Sequence, residues 1–494
     1  MTTATAARPR FQPLIIPRRV RPFGEALDAP RPLYFIYFPI LLTLTGIFTW
    51  ITSTAFFMVA ACMVGGAVGL YLIWDWLFRK GATRFSTLMA LGQLIGYCLG
   101  ALNSWATTPR GGLTIGEFFG QDDGVLARAA ALVLIANGIL LCLGEIFERP
   151  LFGREFRIPL DYRVYYTVYF GTILYLGAFL SGSMIVMGVG VENGNVGVLK
   201  TFLNWFFPPL AVFSMAVFLA TPRGIHKRLT ACAALILLVM MTILGRRIMI
   251  YSVVEMIFAV RLTGYKFTGS AFKKLFLAVA LVVFIVSGAF FFILLRVAGY
   301  SGDSGNKTLP QRLFAVSGWI SDGTAIERAT SASSHDVQKR TFVLGFLGSV
   351  LEGSSTHTPG LGENAIGMIQ LAVPSAIYHD KDKYYSEEGT VDRLFGYGFG
   401  DEPNSILTNG ATDFGFAGAI IYPLILAYIV RVYLEFISWH SPLLASTILV
   451  FALMYSSLQA ENSLTEYFGS MIHGALFVIF LSIFFALPRF RLQR

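Results

Sequence analysis

Apolar residues along this 494-residue chain come in long blocks, not at a strand or amphipathic-helix period. An α-helix needs about 20 mostly apolar residues to cross a hydrocarbon core. Blocks of that kind fall near 33–52, 55–78, 85–105, 125–147, 164–188, 199–220, 229–245, 248–263, 275–295, 412–432, 443–459 and 470–487. The pattern predicts an all-α polytopic membrane protein with about twelve spanning helices, those at 229, 248 and 443 being short. A basic tail at 1–32 precedes nine helices over 33–296. A large polar loop at 297–411 then separates them from three more over 412–488, before a short tail at 489–494.

Composition agrees with the blocks. The chain is 55% hydrophobic and only 14% charged, whereas a soluble domain carries roughly 25% charged residues. The net charge of +9 invites a nucleic-acid reading, but the basic residues form short clusters between apolar runs, and no basic soluble domain is present to carry such binding. Cys62, Cys98, Cys142 and Cys232 all lie in apolar runs, lack CxxC spacing and read as small core residues. The first 30 residues are rich in proline and arginine and have no apolar region of their own, so no cleaved signal peptide is expected.

Charge also orients the helices. Twelve spans place both termini on one side, and that side collects 24 Lys and Arg in its tails and loops, against five in the short loops opposite: Arg110, Arg128, Lys200, Arg246 and Arg247. The positive-inside rule makes the richer side cytoplasmic and puts 297–411 outside. Long loops translocate whatever their charge, so the nine Lys and Arg there, counting Arg296 at the edge, do not oppose this. Two apolar stretches inside the loop, Thr341–Leu351 and Ala365–Ile377, are too short to span and predict helices on the membrane face or over a cavity. No internal repeat is visible. The loop falls between the ninth and tenth spans, not midway, which disfavours a transporter of two equal halves.

Chemistry concentrates at the outer edges. Gly245-Arg246-Arg247 places two cations in an outer hairpin against the positive-inside bias. Guanidinium groups bind phosphate oxygens bidentately and stay charged, so the pair suits a lipid-linked pyrophosphate, with snorkelling to headgroups as the plainer role. Arg296 is either a second clamp or an anchor. Arg312, Arg328, Arg340 and Arg393 in the loop are weaker phosphate ligands. His335 and His357 lie in the loop and suit a base near neutral pH. His226 and His473 read as structural, and no HExxH or other metal signature is present. Glu461 and Glu466 sit near the outer end of the eleventh span, either as functional acids or as hydrated groups.

The most specific stretch is Asp401-Glu-Pro-Asn-Ser405-Ile-Leu-Thr-Asn409-Gly-Ala-Thr-Asp413-Phe-Gly-Phe-Ala-Gly418, which leads into the tenth span. It resembles the loop-closing segment of the Wzy-type oligosaccharide repeat-unit polymerases, within the O-antigen polymerase and ligase superfamily. That segment runs Pro-x-Ser, a Gly-Glu-x-Tyr-like element, then Phe-Gly-x-x-Gly. Pro403, Ser405, Phe414, Gly415 and Gly418 match, while Thr408-Asn409-Gly410-Ala411 replaces the Gly-Glu-x-Tyr element, so the family's acid is not in its place. The plain role of Phe-Gly-x-x-Gly is close helix packing through small residues.

The resemblance implies a GT-C-like fold in the bacterial inner membrane with the loop in the periplasm. It also implies a metal-independent glycosyltransferase, without cofactor, that joins undecaprenyl-diphosphate-linked oligosaccharides. A chain-length regulator and a flippase are the protein partners it implies, beside the lipid bilayer and without nucleic acid. Arg246, Arg247 and Arg296, with Arg312 and Arg340, would stabilise the departing pyrophosphate. Asp413, Asp401, Glu402 or His335 would take the acceptor's proton, with Ser405, Asn409, Gly415 and Gly418 on the acceptor side. The absence of a nucleotide-binding motif accords with a donor that is not a nucleotide sugar. An O-antigen ligase, a polysaccharide or lipid flippase or transporter, and a scaffolding subunit are the rival readings. The ligase branch favours His-Asn near Asn404-Ser405, where no histidine stands.

Overall fold

The computed structural model describes residues 31–78, 84–107, 116–148, 160–180, 207–244, 309–328, 343–373, 386–398, 403–440 and 453–486, with isolated gaps. It also describes scattered positions between 283 and 298, and Tyr378. Among the described residues the regular structure is helical. Five helices are long and apolar enough to cross a membrane: Leu33–Thr52, Ala55–Asp75, Phe85–Ser104, Asp123–Phe147 and Ile406–Ile437. The chain is therefore an α-helical protein of membrane type. The expected spans at 248–263 and most of 275–295 and 443–459 lie outside the described residues.

We number the helices α1 (Leu33–Thr52, opening with a π-helical turn), α2 (Ala55–Phe78), α3 (Phe85–Ser104, π-helical over Leu94–Leu99) and α4 (Asp123–Phe147). Then come α5 (Tyr162–Leu180), α6 (Ile225–Leu244), α7 (Leu309–Ser321), α8 (Val343–Thr356), α9 (Glu363–Ala372), α10 (Glu387–Phe395), α11 (Ile406–His440) and α12 (Leu464–Ala486). Helices α1 to α4 run up and down. Ser53 stops α1 in a left-handed conformation at φ 46° and lets α2 begin two residues later. Leu126, Ala130, Val133 and Leu134 of α4 are buried in a core shared with Leu42 of α1, Met58 and Leu72 of α2 and Leu88, Leu91 and Leu94 of α3.

One end of this bundle is closed by buried charge. Arg84, at the start of α3, donates to Glu145 of α4 at 2.7 Å and through Nε to the Glu148 carbonyl at 3.0 Å. Arg31 reaches the same Glu145 at 2.8 Å and Asp75 of α2 at 3.2 Å, and the Tyr34 hydroxyl also donates to Asp75. Glu148 accepts the N–H groups of Phe85 and Ser86, the first turn of α3, at 2.5 and 2.9 Å. Those two N–H groups have no intrahelical partner, and a carboxylate at a helix N-terminus satisfies both bond and dipole. Burial pushes the Glu148 carboxyl above the usual carboxylate range, against the pull of Ser86, Phe85 and Arg84. The clasp ties the ends of α1, α2, α3 and α4 together.

The other end carries α8, α9 and α10. The apolar stretches predicted within the loop are helical over 343–351 and 365–372, the parts described: Val343, Leu344, Phe346, Leu347 and Val350 of α8 and Met368 of α9 join the main core. Gln121 fastens α8 to the start of α4, donating to the Gly345 carbonyl at 2.8 Å and to Ser349 at 2.6 Å. Helix α7 is different. Its Val316 packs with Leu294, Leu295, Ala298 and Ala325 in a separate small cluster.

Helix α11 departs from the predicted tenth span. It begins at Ile406, not 412, and breaks at Phe414 (φ −141°) and Gly415 (φ 59°). The break folds the 406–413 arm back on the span that follows. A Cβ on Gly410 would stand 2.2 Å from the Gly418 carbonyl oxygen, and one on Gly418 2.1 Å from that of Gly410. Backbone therefore lies on backbone, and only glycine fits. Gly410→Ala and Gly418→Ala are each expected to reduce the yield of monodisperse protein severalfold in size-exclusion chromatography, whereas Gly177→Ala, with open space beside it, should match the parent.

Candidate functional site

The 406–413 arm organises the most polar interior in the described chain. Ser405 is its N-cap. The Ser405 Oγ accepts from the N–H groups of Leu407 and Thr408, both at 3.1 Å, and its own N–H donates to Thr408 Oγ1 at 2.7 Å. This reciprocal arrangement is a capping box with threonine in the place of the usual glutamate. Tyr97 of α3 meets Ser405 hydroxyl to hydroxyl, and Thr408 donates to Glu387 Oε1 at 2.9 Å. Tyr97, Ser405, Thr408 and Glu387 are all buried. At 1.5 Å per residue Tyr97 lies about 20 Å along α3 from Arg84, so the arm starts well inside the bundle and rises to its reversal at Gly415.

The arm also holds two other helix ends. Asp413 accepts from the N–H groups of Asn364 and Ala365 at 2.9 Å each, and from the Tyr422 hydroxyl at 2.6 Å. The N-cap of α9 is Gly362, at φ 94° and without a side chain to cap the helix. Asp413 supplies the missing carboxylate from across the junction, while its carbonyl and that of Thr412 accept the N–H groups of Leu361 and Gly360 at 2.9 Å. Asn409 does the like for α12, its Oδ1 accepting the Leu464 N–H at 2.8 Å. Glu466 completes that cap by accepting from the Ser463 N–H at 2.8 Å and from its hydroxyl. Arg393 of α10 pairs with Glu363 at the surface.

Electrostatically, Glu387 stands out. Burial first, and then the negative charge of Glu466, push its carboxyl well above the usual carboxylate range, while Thr408 pulls it down. The Asn409 side chain also pulls it down, from across the Glu387 carboxyl, while Asn364 Oδ1 and Asn404 Oδ1 are buried without a hydrogen-bond partner. Fully buried polar atoms normally have partners.

Of the sequence-derived candidates, the structure brings Ser405, Asn409 and Asp413 into one junction, with Gly415 and Gly418 forming the turn beneath it. Asp413 is fully buried and its two oxygens hold three donors, so it works as a helix cap. Arg312 is buried in the first turn of α7, the helix with the separate cluster. His357 ends α8, exposed and bonded to Thr356 at 2.9 Å. His226 stacks on Tyr165 of α5 at 4.5 Å. Asp401, Glu402, His335, Arg246, Arg247, Arg296 and Arg340 lie outside the described residues. Glu387, Tyr97 and Asn364 escaped the sequence reading, because nothing in their neighbours marks them as buried together.

Compared with protein-family descriptions, with curated proteins and with solved structures, the chain matches none.

Proposed function

We propose that the chain is an inner-membrane glycosyltransferase that polymerises undecaprenyl-diphosphate-linked oligosaccharides at the periplasmic face. The observation that carries this reading is the 403–418 segment. Four of the five residues that match the polymerase pattern have a defined part there: Ser405 caps the buried arm, Phe414 and Gly415 reverse it, and Gly418 receives it. A re-entrant arm at the end of an outer loop gives those residue types a structural reason to stand at that spacing. The charge bias favours placing this end of the bundle outside the cytoplasm.

In this reading Arg246 and Arg247, with Arg296, hold the donor's pyrophosphate and stabilise it as it leaves. Asp401, Glu402 and His335 stay in the set of acceptor-side bases, whereas Asp413 leaves it because both of its oxygens are bound to the start of α9 and one of them also to Tyr422. A flippase would instead be expected to carry charge in mid-span; the buried ion pairs described here sit at the span ends. The test is polymer formation by the purified chain in nanodiscs supplied with lipid-linked repeat units. Losing two charge-assisted contacts, each worth about 1.5–3 kcal/mol, should lower the rate of an Arg246→Ala/Arg247→Ala variant at least about 100-fold. Undiminished polymer would remove the clamp.

A further inference from the structure

We propose that lipid covers the exposed face of α9, so that 361–373 lies against the acyl chains of the leaflet at the loop end of the bundle. Helix α11 supplies the ruler. Between 416 and 437 its exposed side chains are Ala417, Ile421, Ile425, Tyr428, Val432 and Phe436, one stripe at the helical period and without a charge. At 1.5 Å per residue Ala417 to Phe436 measures about 28 Å, close to the roughly 30 Å of a hydrocarbon core. The stripe is therefore the lipid-facing side of a complete span. Its Ala417 end, with exposed Phe414 just beyond the break, marks one edge of the hydrocarbon. Phe416 beside that end packs against Trp50 near the end of α1, with ring centroids 4.8 Å apart, and tryptophan favours the same boundary.

Helix α9 begins at this edge. Leu361 donates its N–H to the Asp413 carbonyl at 2.9 Å, and a Cβ on Gly362 would lie 3.8 Å from the Phe414 ring. The apolar surface of α11 is continued there by Leu361, Ile366 and Ile369, which are 70%, 58% and 38% exposed. Positions 366, 369 and 373 share one face of α9, and Asn364, Met368 and Ala372 are buried on the other. The one charge of α9, Glu363 in its first turn, pairs with exposed Arg393 of α10. An apolar helix face with charge at one end suits the boundary between headgroups and acyl chains. Water is the poorer neighbour, because contiguous exposed apolar surface of this kind marks a contact.

The far end of α9 stays at membrane depth. Thr465, in the first turn of α12, donates to the Met368 sulfur at 3.0 Å. Leu464 beside it is capped by Asn409, one turn down the arm from Asp413. Helix α9 thus follows the arm into the bundle instead of rising away from it. Lipid on its outer face therefore gains a hold on the arm. Asp413 takes the first N–H groups of α9, and the Asn364 amide donates to the Asn409 carbonyl at 3.4 Å. Acyl chains against Ile366 and Ile369 press α9 onto 406–413 from the side that the protein leaves open.

The experiment uses the full chain in nanodiscs of phosphatidylethanolamine and phosphatidylglycerol, with Cys142→Ser and Cys232→Ser removing the cysteines that are not buried. A nitroxide on Ile366→Cys or Ile369→Cys should respond to oxygen and lose its response to a water-soluble nickel chelate. A label on Tyr428→Cys, in the α11 stripe, gives the lipid reference, and one on Ser355→Cys, exposed at the end of α8, gives the water reference. A nickel response at 366 and 369 equal to that at 355 means a wet face and overturns the lipid cover. Insensitivity to both reagents overturns it too, since a second copy or another part of the chain then lies over α9. Should neither variant fold, the unaltered chain decides. A lipid with a diazirine on its acyl chain should leave adducts in 361–373 as well as in 417–436, and adducts confined to 417–436 overturn the assignment.

Discussion

Glu145→Ala is expected to be the most damaging single change in the charged clasp, costing about 3–5 kcal/mol. Its carboxylate is fully buried and serves two guanidinium groups. Arg84 has a side chain only 1% exposed, so water does not replace the lost carboxylate, and a buried charge that loses its direct ion pair is the costly outcome even with Glu148 nearby. Arg31 is 27% exposed and pairs also with Asp75, so Asp75→Ala leaves it partly hydrated and should cost much less. The measurement is the midpoint of thermal loss of monodisperse protein in detergent, with the parent and both variants side by side. A double variant, Glu145→Leu with Arg84→Met, sharpens the test. It removes both charges and fills their volume, and should recover most of the loss. A Glu145→Ala midpoint equal to that of Asp75→Ala would mean that Arg84 is not the group left stranded.

That clasp shows what hydropathy conceals. The apolar blocks locate α1 to α4 to within a few residues, because a 20-residue apolar helix is the cheapest way to satisfy backbone groups in lipid. The same averaging hides Asp75 and Glu145, single acids near the ends of apolar runs that nonetheless fix how four helices meet. A charged residue inside such a run was itself the available signal. Helix α11 fails differently. Its apolar content predicts the span after 415 but not the arm before it, since a chain reversal depends on Gly410 meeting Gly418. Glu387 follows Ser386, which caps the Gly389 N–H, and so reads locally as the solvated first turn of a short helix. Its burial comes from Thr408, 21 positions away, and no local pattern encodes that.

Asp413 turns this difference into an experiment, because sequence and structure give it different tasks. As a proton acceptor it would tolerate substitution structurally and lose only activity. As the cap of α9 it holds two N–H groups that lie 49 and 48 positions away, one on each oxygen. Hydrogen bonds to a charged partner contribute about 1.5–3 kcal/mol each, and a buried donor left unsatisfied costs about as much. Asp413→Ala is therefore expected to destabilise the chain by about 3 kcal/mol or more. Asp413→Asn, though matched in shape, should do little better. Its amide offers one oxygen to two N–H groups, and its NH2 turns a donor toward a donor. Hydrogen exchange followed by mass spectrometry localises the effect: amides of 360–372 should lose protection in both variants while those of α4 keep theirs. Unchanged exchange across 360–372, with polymer formation abolished, would return Asp413 to the set of acceptor-side bases.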